Sequence, residues 1–122
     1  MNNKPIRLGP LAVANTVGNL FNPPTVTGGV NPPGTSTNTY YVLRHIRIVN
    51  KTGGAVTFSG YIGATGGSAA GTEFLGNGLS IAANSYVDWY GVLRLDVADF
   101  LTGVASAATS LTIEAEGEIG IA

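Results

Sequence analysis

The sequence predicts an all-β fold, a small β-sandwich or jelly roll with an extended N-terminal arm. Apolar and polar residues alternate with a period of two in several stretches after residue 39, as in strands with one buried face. Glycine-rich turns separate these stretches, and the chain of 122 residues contains 18 glycines. Charged residues make up 11% of it, well below the roughly 25% of an ordinary soluble domain. We therefore divide the chain into an arm, residues 1–39, and a sandwich domain, residues 40–122.

The arm is defined by its lack of charge and by its prolines. No charged side chain occurs from Leu8 to Leu43, and the Asn-Pro-Pro motifs at 22–24 and 31–33 exclude a continuous helix. Its scattered apolar side chains predict contact points on another protein chain: Ile6, Leu8, Leu11, Val13, Leu20 and Phe21. The alternative is that this segment packs on its own domain as one or two edge strands.

The first strand of the domain is predicted at 40–50. Ile46 and Ile48 point inward and His45 and Arg47 outward, but the alternation breaks near Arg44, which predicts a β-bulge or a twist there. The glycine-containing segment 50–54 is expected to form a hairpin turn into a second strand. That second strand, residues 56–62, again alternates apolar and polar side chains.

Two later stretches complete the pattern. Residues 87–95 alternate cleanly and predict a strand bent at Gly91, since glycine in a strand marks a bend or bulge. The last strand, residues 111–121, places its apolar side chains on the core and three glutamates, at 114, 116 and 118, on the opposite face. A domain of this size has a small core, which favours association into a homo-oligomer.

Composition excludes several functions. The net charge of −1 and the absence of cysteine argue against nucleic-acid or membrane partners, a disulfide framework and a thiolate zinc site. His45 is the single imidazole and has no glycine-rich nucleophile turn beside it, so we expect no catalytic residue, no metal ligand, no cofactor and no enzyme activity. The apolar run at 11–14 is too short for a signal peptide, which predicts synthesis in the cytoplasm.

The acidic row of the last strand allows several interpretations. It can be a solvated face, a calcium site or a glycosidase pair, although calcium takes 6–8 oxygen ligands from a looped cage. It can also pair with the arginines at 44, 47 and 94, across the sheet or across a subunit boundary. We take the subunit boundary as the working hypothesis, because few other charges exist to set the register of an interface.

The aromatic residues divide between the two faces of the strand at 87–95. Trp89 shares its phase with Val87 and is expected in the core, whereas Tyr86 and Tyr90 face the other way. Exposed tyrosines suit a protein interface or a carbohydrate-binding platform, and they are also compatible with ordinary decoration of a sheet surface. The predicted subunit-interface residues are Arg44, Arg47, Tyr86, Tyr90, Glu114, Glu116 and Glu118.

The strand at 39–50 and the turn that follows it resemble segments of small virion structural proteins of tailed bacteriophages. The residues that carry the resemblance are Ile46-Arg47-Ile48-Val49-Asn50, the segment 52–57, Gly63-Ala64-Thr65-Gly66-Gly67 and Ile81-Ala82-Ala83-Asn84-Ser85. The resemblance covers residues 39–121 and its motifs are structural, so it carries over no catalytic residue.

This resemblance implies a function on an assembled particle. It implies above all a head decoration (cement) protein, a homotrimer that binds and stabilises the capsid through the major capsid protein or another virion protein. The expected location is then the virion, after synthesis in the host cytoplasm. A tail or neck component, or a carbohydrate- or receptor-binding module of the virion, is the alternative.

Overall fold

A computed structural model describes residues 4–22, 39–96 and 99–121 of the chain. These residues form eight strands and contain no helix, so none of them forms a helix long enough to cross a membrane. The prediction of an all-β fold is confirmed. The strands are β1 (Lys4–Val13), β2 (Gly18–Phe21), β3 (Thr39–Asn50), β4 (Val56–Gly63), β5 (Glu73–Ile81), β6 (Ser85–Leu95), β7 (Phe100–Ala105) and β8 (Leu111–Ile121).

The strands form two four-stranded antiparallel sheets that pack face to face. The first sheet has the order β1-β8-β3-β6 and the second has the order β2-β7-β4-β5. Of the connections between successive strands, β4 to β5 stays within one sheet and each of the others crosses to the opposite sheet. Eight strands in two sheets joined in this way form a jelly roll.

The core lies between the two sheets and is built by the period-two alternation of the strands. Phe58 of β4 is fully buried, and Ile46 and Ile48 of β3 are 1% exposed. On β8, Ile113 and Ala115 are fully buried, as the alternation predicts. The remaining buried apolar side chains are Val13, Leu20, Phe21, Leu43, Val56, Ile81, Leu95, Leu101, Ala105 and Leu111.

The structure corrects the interpretation of residues 4–22 as part of an extended arm. β1 pairs with β8 along its length and β2 pairs with β7, so this segment supplies an edge strand to each sheet. The alternative of edge strands on the chain's own domain is what the structure shows here. Residues 23–38, the rest of the predicted arm, lie outside the described residues.

The predicted docking residues of the arm accordingly pack on this chain's own core. Val13, Leu20 and Phe21 are 0%, 8% and 4% exposed, and the other three, at positions 6, 8 and 11, are partly buried against the same core. The three buried side chains are not available to a partner while the strands remain in place, whereas the three partly buried ones keep some accessible surface. Their burial contributes to the stability of the sandwich through the removal of apolar surface from water.

The bulge predicted near Arg44 is present. The pairing of β3 with both β6 and β8 shifts register between Leu43 and His45. Next to this bulge the backbone of β3 approaches β8 so closely that a Cβ atom added at Gly117 would collide with the carbonyl oxygen of Val42. The glycine at 117 is therefore a packing requirement of the bulged pair of strands.

The expectation of a hairpin at 50–54 is wrong, because β3 and β4 belong to different sheets. The segment is a crossing turn organised by Asn50, which is fully buried. The Asn50 Oδ1 atom accepts hydrogen bonds from the backbone N–H of Thr52 at 2.9 Å and from its hydroxyl at 2.7 Å. Its Nδ2 atom donates to the carbonyls of Gly54 at 2.9 Å and Ile81 at 3.0 Å.

Candidate interaction surface

The outward-facing side of the sheet β1-β8-β3-β6, here called the outer face, carries polar and aromatic side chains from three adjacent strands. Two cross-strand rows form its centre, with one residue each from β8, β3 and β6: Glu116, His45 and Tyr90 in one row, and Glu114, Arg47 and Asp88 in the other. All seven predicted interface residues lie on this face. Asp88 was not among them.

Asp88 joins β6 to β3 through its carboxylate. The Nε atom of Arg47 donates to Asp88 Oδ1 at 2.7 Å and the second guanidinium nitrogen donates to Oδ2 at 3.0 Å. His45 Nε2 lies 2.9 Å from the same Oδ1. The bonds from Arg47 and then from His45 lower the pKa of Asp88 to about 2, because they stabilise the carboxylate. The same pairing raises the pKa of Arg47.

His45 stands between two carboxylates and against a tyrosine. Besides Asp88, its ring approaches Glu116, with 3.4 Å between Nδ1 and Oε1. The hydrogen bond to Asp88 raises the pKa of His45, desolvation opposes the rise, and the bond to Glu116 adds to it. The ring stacks on Tyr90 with centroids 4.7 Å apart and an interplanar angle of 15°. None of these neighbours is a serine or threonine that His45 could activate as a nucleophile.

The arginines of the outer face each have an ion-pair partner within the chain, and their pairing with the glutamate row across a subunit boundary stays a prediction. Arg44 Nε lies 3.2 Å from Glu118 Oε2, so one predicted pair forms across the sheet. Arg47 binds Asp88. Arg94 binds Asp96 of the following loop at 2.9 Å.

An exposed apolar and aromatic strip, formed by Tyr86, Tyr90 and Val92, runs along β6. Their exposed fractions are 54%, 71% and 70%. Trp89 points the opposite way, is partly buried against the core and meets Phe74 edge to face at 5.2 Å. The division of the aromatic residues between the two faces of β6 is thus as predicted.

A cleft of about 420 Å³ opens where the second sheet meets β3 and β6. Its wall from the first sheet includes Ile46, Val87 and Trp89, and its wall from β5 includes Leu75 and Leu79. Leu75 has a φ of +70°, which is unusual for a residue other than glycine. This cleft is not predictable from the alternation pattern, because its β5 wall contains Gly76-Asn77-Gly78 and lacks a regular period of two.

Comparison with known proteins finds little in sequence and a weak likeness in structure. No protein-family model matches the chain, and no curated protein is similar to it in sequence. The chain is similar to a chain of the infectious bursal disease virus Gx strain, with 8% identity and a TM-score of 0.33, over 96% of this chain and 28% of that one. It is also similar to a chain of the Gt strain of the same virus, with 10% identity and a TM-score of 0.25, over 97% of this chain and 29% of that one. The chain thus spans less than a third of these viral chains.

Proposed function

We propose that this protein is a virion structural protein that acts by binding other proteins on an assembled particle and has no catalytic role. The observation that carries the proposal is the exposed strip of Tyr86, Tyr90 and Val92 on β6. Tyrosine is enriched at protein interfaces because it combines a large apolar ring with a polar end. Exposed hydrophobic patches mark interaction sites, and on β6 Tyr90 and Val92 occupy successive outward positions, with Tyr86 on the far side of Asp88.

The fold and the composition support the same proposal. Jelly rolls occur in viral capsid, lectin and cupin domains, although a fold alone does not decide a function. The polar groups of the outer face are largely engaged with one another, as in the Asp88 and Arg47 pair. In a complex with a partner protein, the fixed charges of such a surface would set the register of the interface, and its exposed aromatic rings would supply contact area.

The more specific role that we propose is capsid decoration, as the resemblance to tailed-phage virion proteins implies. In this role the protein binds the major capsid protein, and many weak contacts on a symmetric shell add up through avidity. The resemblance also implies a homotrimer. A tail or neck position is the alternative within the same class, and it would use the same binding strip.

The experiment is to localise the protein on virus particles from the cells that make it. Particles purified on a density gradient are probed by immuno-electron microscopy with an antibody against this chain. Decoration predicts regular labelling over the shell, and a tail or neck role predicts labelling at one vertex. Particles without the protein would contradict the proposal in both forms.

A carbohydrate-binding module is the second candidate. The observation that favours it is the placement of Tyr86 and Tyr90 on either side of Asp88, since sugar sites combine aromatic rings with fixed hydrogen-bonding groups. This role predicts glycan-dependent changes in tyrosine fluorescence that are lost in Tyr90→Ser. Particle binding that is insensitive to added glycans would favour the protein interface instead.

A further inference from the structure

The outer face brings together three side chains whose donor atoms can hold one metal ion. One donor atom each from His45, Glu114 and Glu116 lies within 4.8 Å of the other two. Ligands of a Zn²⁺ ion at 2.0–2.2 Å stand about 3.3–3.6 Å apart in tetrahedral geometry. His45 Nδ1 and Glu116 Oε1 are already 3.4 Å apart, so the remaining adjustment falls on the partly exposed side chain of Glu114.

Asp88 orients the imidazole of His45 for this role. A histidine that binds a metal usually donates its other ring N–H to a carboxylate, which fixes the tautomer and the ring orientation. His45 Nε2 lies 2.9 Å from Asp88 Oδ1, and Asp88 is itself held by two bonds from Arg47. This arrangement leaves Nδ1 as the metal-binding nitrogen, on the side where it approaches Glu116.

Within the described part of the chain, no cationic side chain forms an ion pair with Glu114. It lies opposite Arg47 in the register of β8 and β3, but Arg47 turns to Asp88 on the other side. Among the described residues Glu114 makes no ion pair or hydrogen bond, and its neighbour on the same face, Glu116, is also acidic. Two carboxylates therefore flank one imidazole nitrogen. Arg7 lies opposite Glu116 in the register of β1 and β8 but makes no ion pair with it in the described part of the chain, so a divalent cation would neutralise the repulsion between the carboxylates.

We propose that His45, Glu114 and Glu116 bind a first-row divalent cation of the Zn²⁺ type, with Asp88 as the positioning residue. A nitrogen ligand beside two carboxylates suits zinc, nickel or copper, whereas calcium and magnesium prefer oxygen ligands throughout. Three protein ligands leave a fourth position for water or for a side chain of another chain. The proposal does not rest on the proposed virion role, because all three ligands belong to one chain.

The test is calorimetric titration of the EDTA-treated full-length chain with ZnCl₂, together with visible spectroscopy of the Co²⁺ form. We expect one equivalent of Zn²⁺ per chain and no competition by Ca²⁺. Glu114→Gln is the sharpest variant, because this side chain makes no bond that the fold of the described residues needs. This variant should weaken Zn²⁺ binding by about 10- to 100-fold, and His45→Gln should do the same.

Two further variants separate the ligands from their surroundings. Glu118→Gln lies on the same strand and the same face but outside the ligand set, so it should bind Zn²⁺ like the wild type. Asp88→Asn should retain the Co²⁺ absorption bands but bind about 10- to 100-fold more weakly, since it alters the positioning group and leaves the ligands. Absence of stoichiometric binding, or equal binding by Glu114→Gln and Glu118→Gln, would overturn the proposal.

Discussion

Arg47 and Glu114 face each other across β3 and β8, yet they do not form an ion pair. The guanidinium of Arg47 instead binds Asp88 on β6, with a shortest distance of 2.7 Å. The side chain thus ties the edge strand β6 to the sheet, beside the backbone pairing of β3 and β6. Because Arg47 pairs with Asp88, Glu114 on β8 keeps a negative charge that is unpaired among the described residues. The exposed strip of β6 lies next to the Arg47 and Asp88 ion pair.

The edge strand β2 is part of the folded domain, so shortening one of its core side chains should destabilise the protein. Leu20→Ala removes a side chain that is 8% exposed and should lower the free energy of unfolding by about 2–5 kcal/mol. Val17→Ala, in the same segment but at a position 37% exposed, should change it by less than about 0.5 kcal/mol. Urea unfolding followed by Trp89 fluorescence measures both, and equal effects would contradict the assignment of residues 4–22 to the sandwich.

The crossing turn between the sheets should depend on the amide of Asn50. Asn50→Ala leaves the buried carbonyl of Ile81 and the backbone N–H of Thr52 without their partner. Each unsatisfied buried group costs about 1–3 kcal/mol, so we expect a loss of about 3 kcal/mol or more. Asn77→Ala, at an exposed position on β5, serves as the matched control in the same thermal and urea unfolding measurements. Unchanged stability of Asn50→Ala would show that the turn is held in another way.

The close approach of β3 and β8 at the bulge requires glycine at position 117. Gly117→Ala introduces a methyl group against the backbone carbonyl of Val42, and backbone yields less readily than a side chain. We expect a loss of about 3 kcal/mol or more. At Gly53 an added Cβ would meet no atom within 4 Å, so Gly53→Ala should be nearly neutral. Comparable unfolding midpoints for the two variants would contradict the described register of β3 and β8.

The strands with regular alternation were predictable from the sequence, and so was the bulge. At 56–62, 87–95 and 111–119 the alternate positions that face the core follow a period of two, and a phase break at Arg44 indicates a bulge or a twist. Such patterns report local backbone geometry. They do not report which strands become neighbours, so the same turn residues at 50–54 are compatible with a hairpin and with a crossing between sheets.

The strands that were not predicted from the sequence, β1 and β5, have an interrupted alternation of apolar and polar residues. The alternation of β1 is broken at Gly9-Pro10, where its register with β8 shifts between Leu8 and Leu11. β5 contains Gly76-Asn77-Gly78, which has the composition of a turn, and its register with β4 shifts twice. In both strands, pairing with a regular neighbour overrides a weak local preference.

The outer face was predictable only in part, for the same reason. Alternation places His45 and Arg47 outward, and it does the same for Tyr86 and Tyr90. Asp88 also lies on the outward phase of β6, so that signal was present in the sequence. Its role depends on β6 lying beside β3, which only the tertiary structure shows.

The central claim is that the outer face binds a particle through the strip on β6. The most direct measurement is co-sedimentation of the labelled full-length chain with virus particles from which the native protein has been removed. We expect saturable binding by the wild type and by Val17→Ser, which changes an exposed apolar residue elsewhere. A Tyr90→Ser, Val92→Ser double variant that folds normally should bind at least about tenfold more weakly, as expected for an interface hot spot. Equal binding by this variant and the wild type, or no binding by either, would contradict particle binding through the strip on β6.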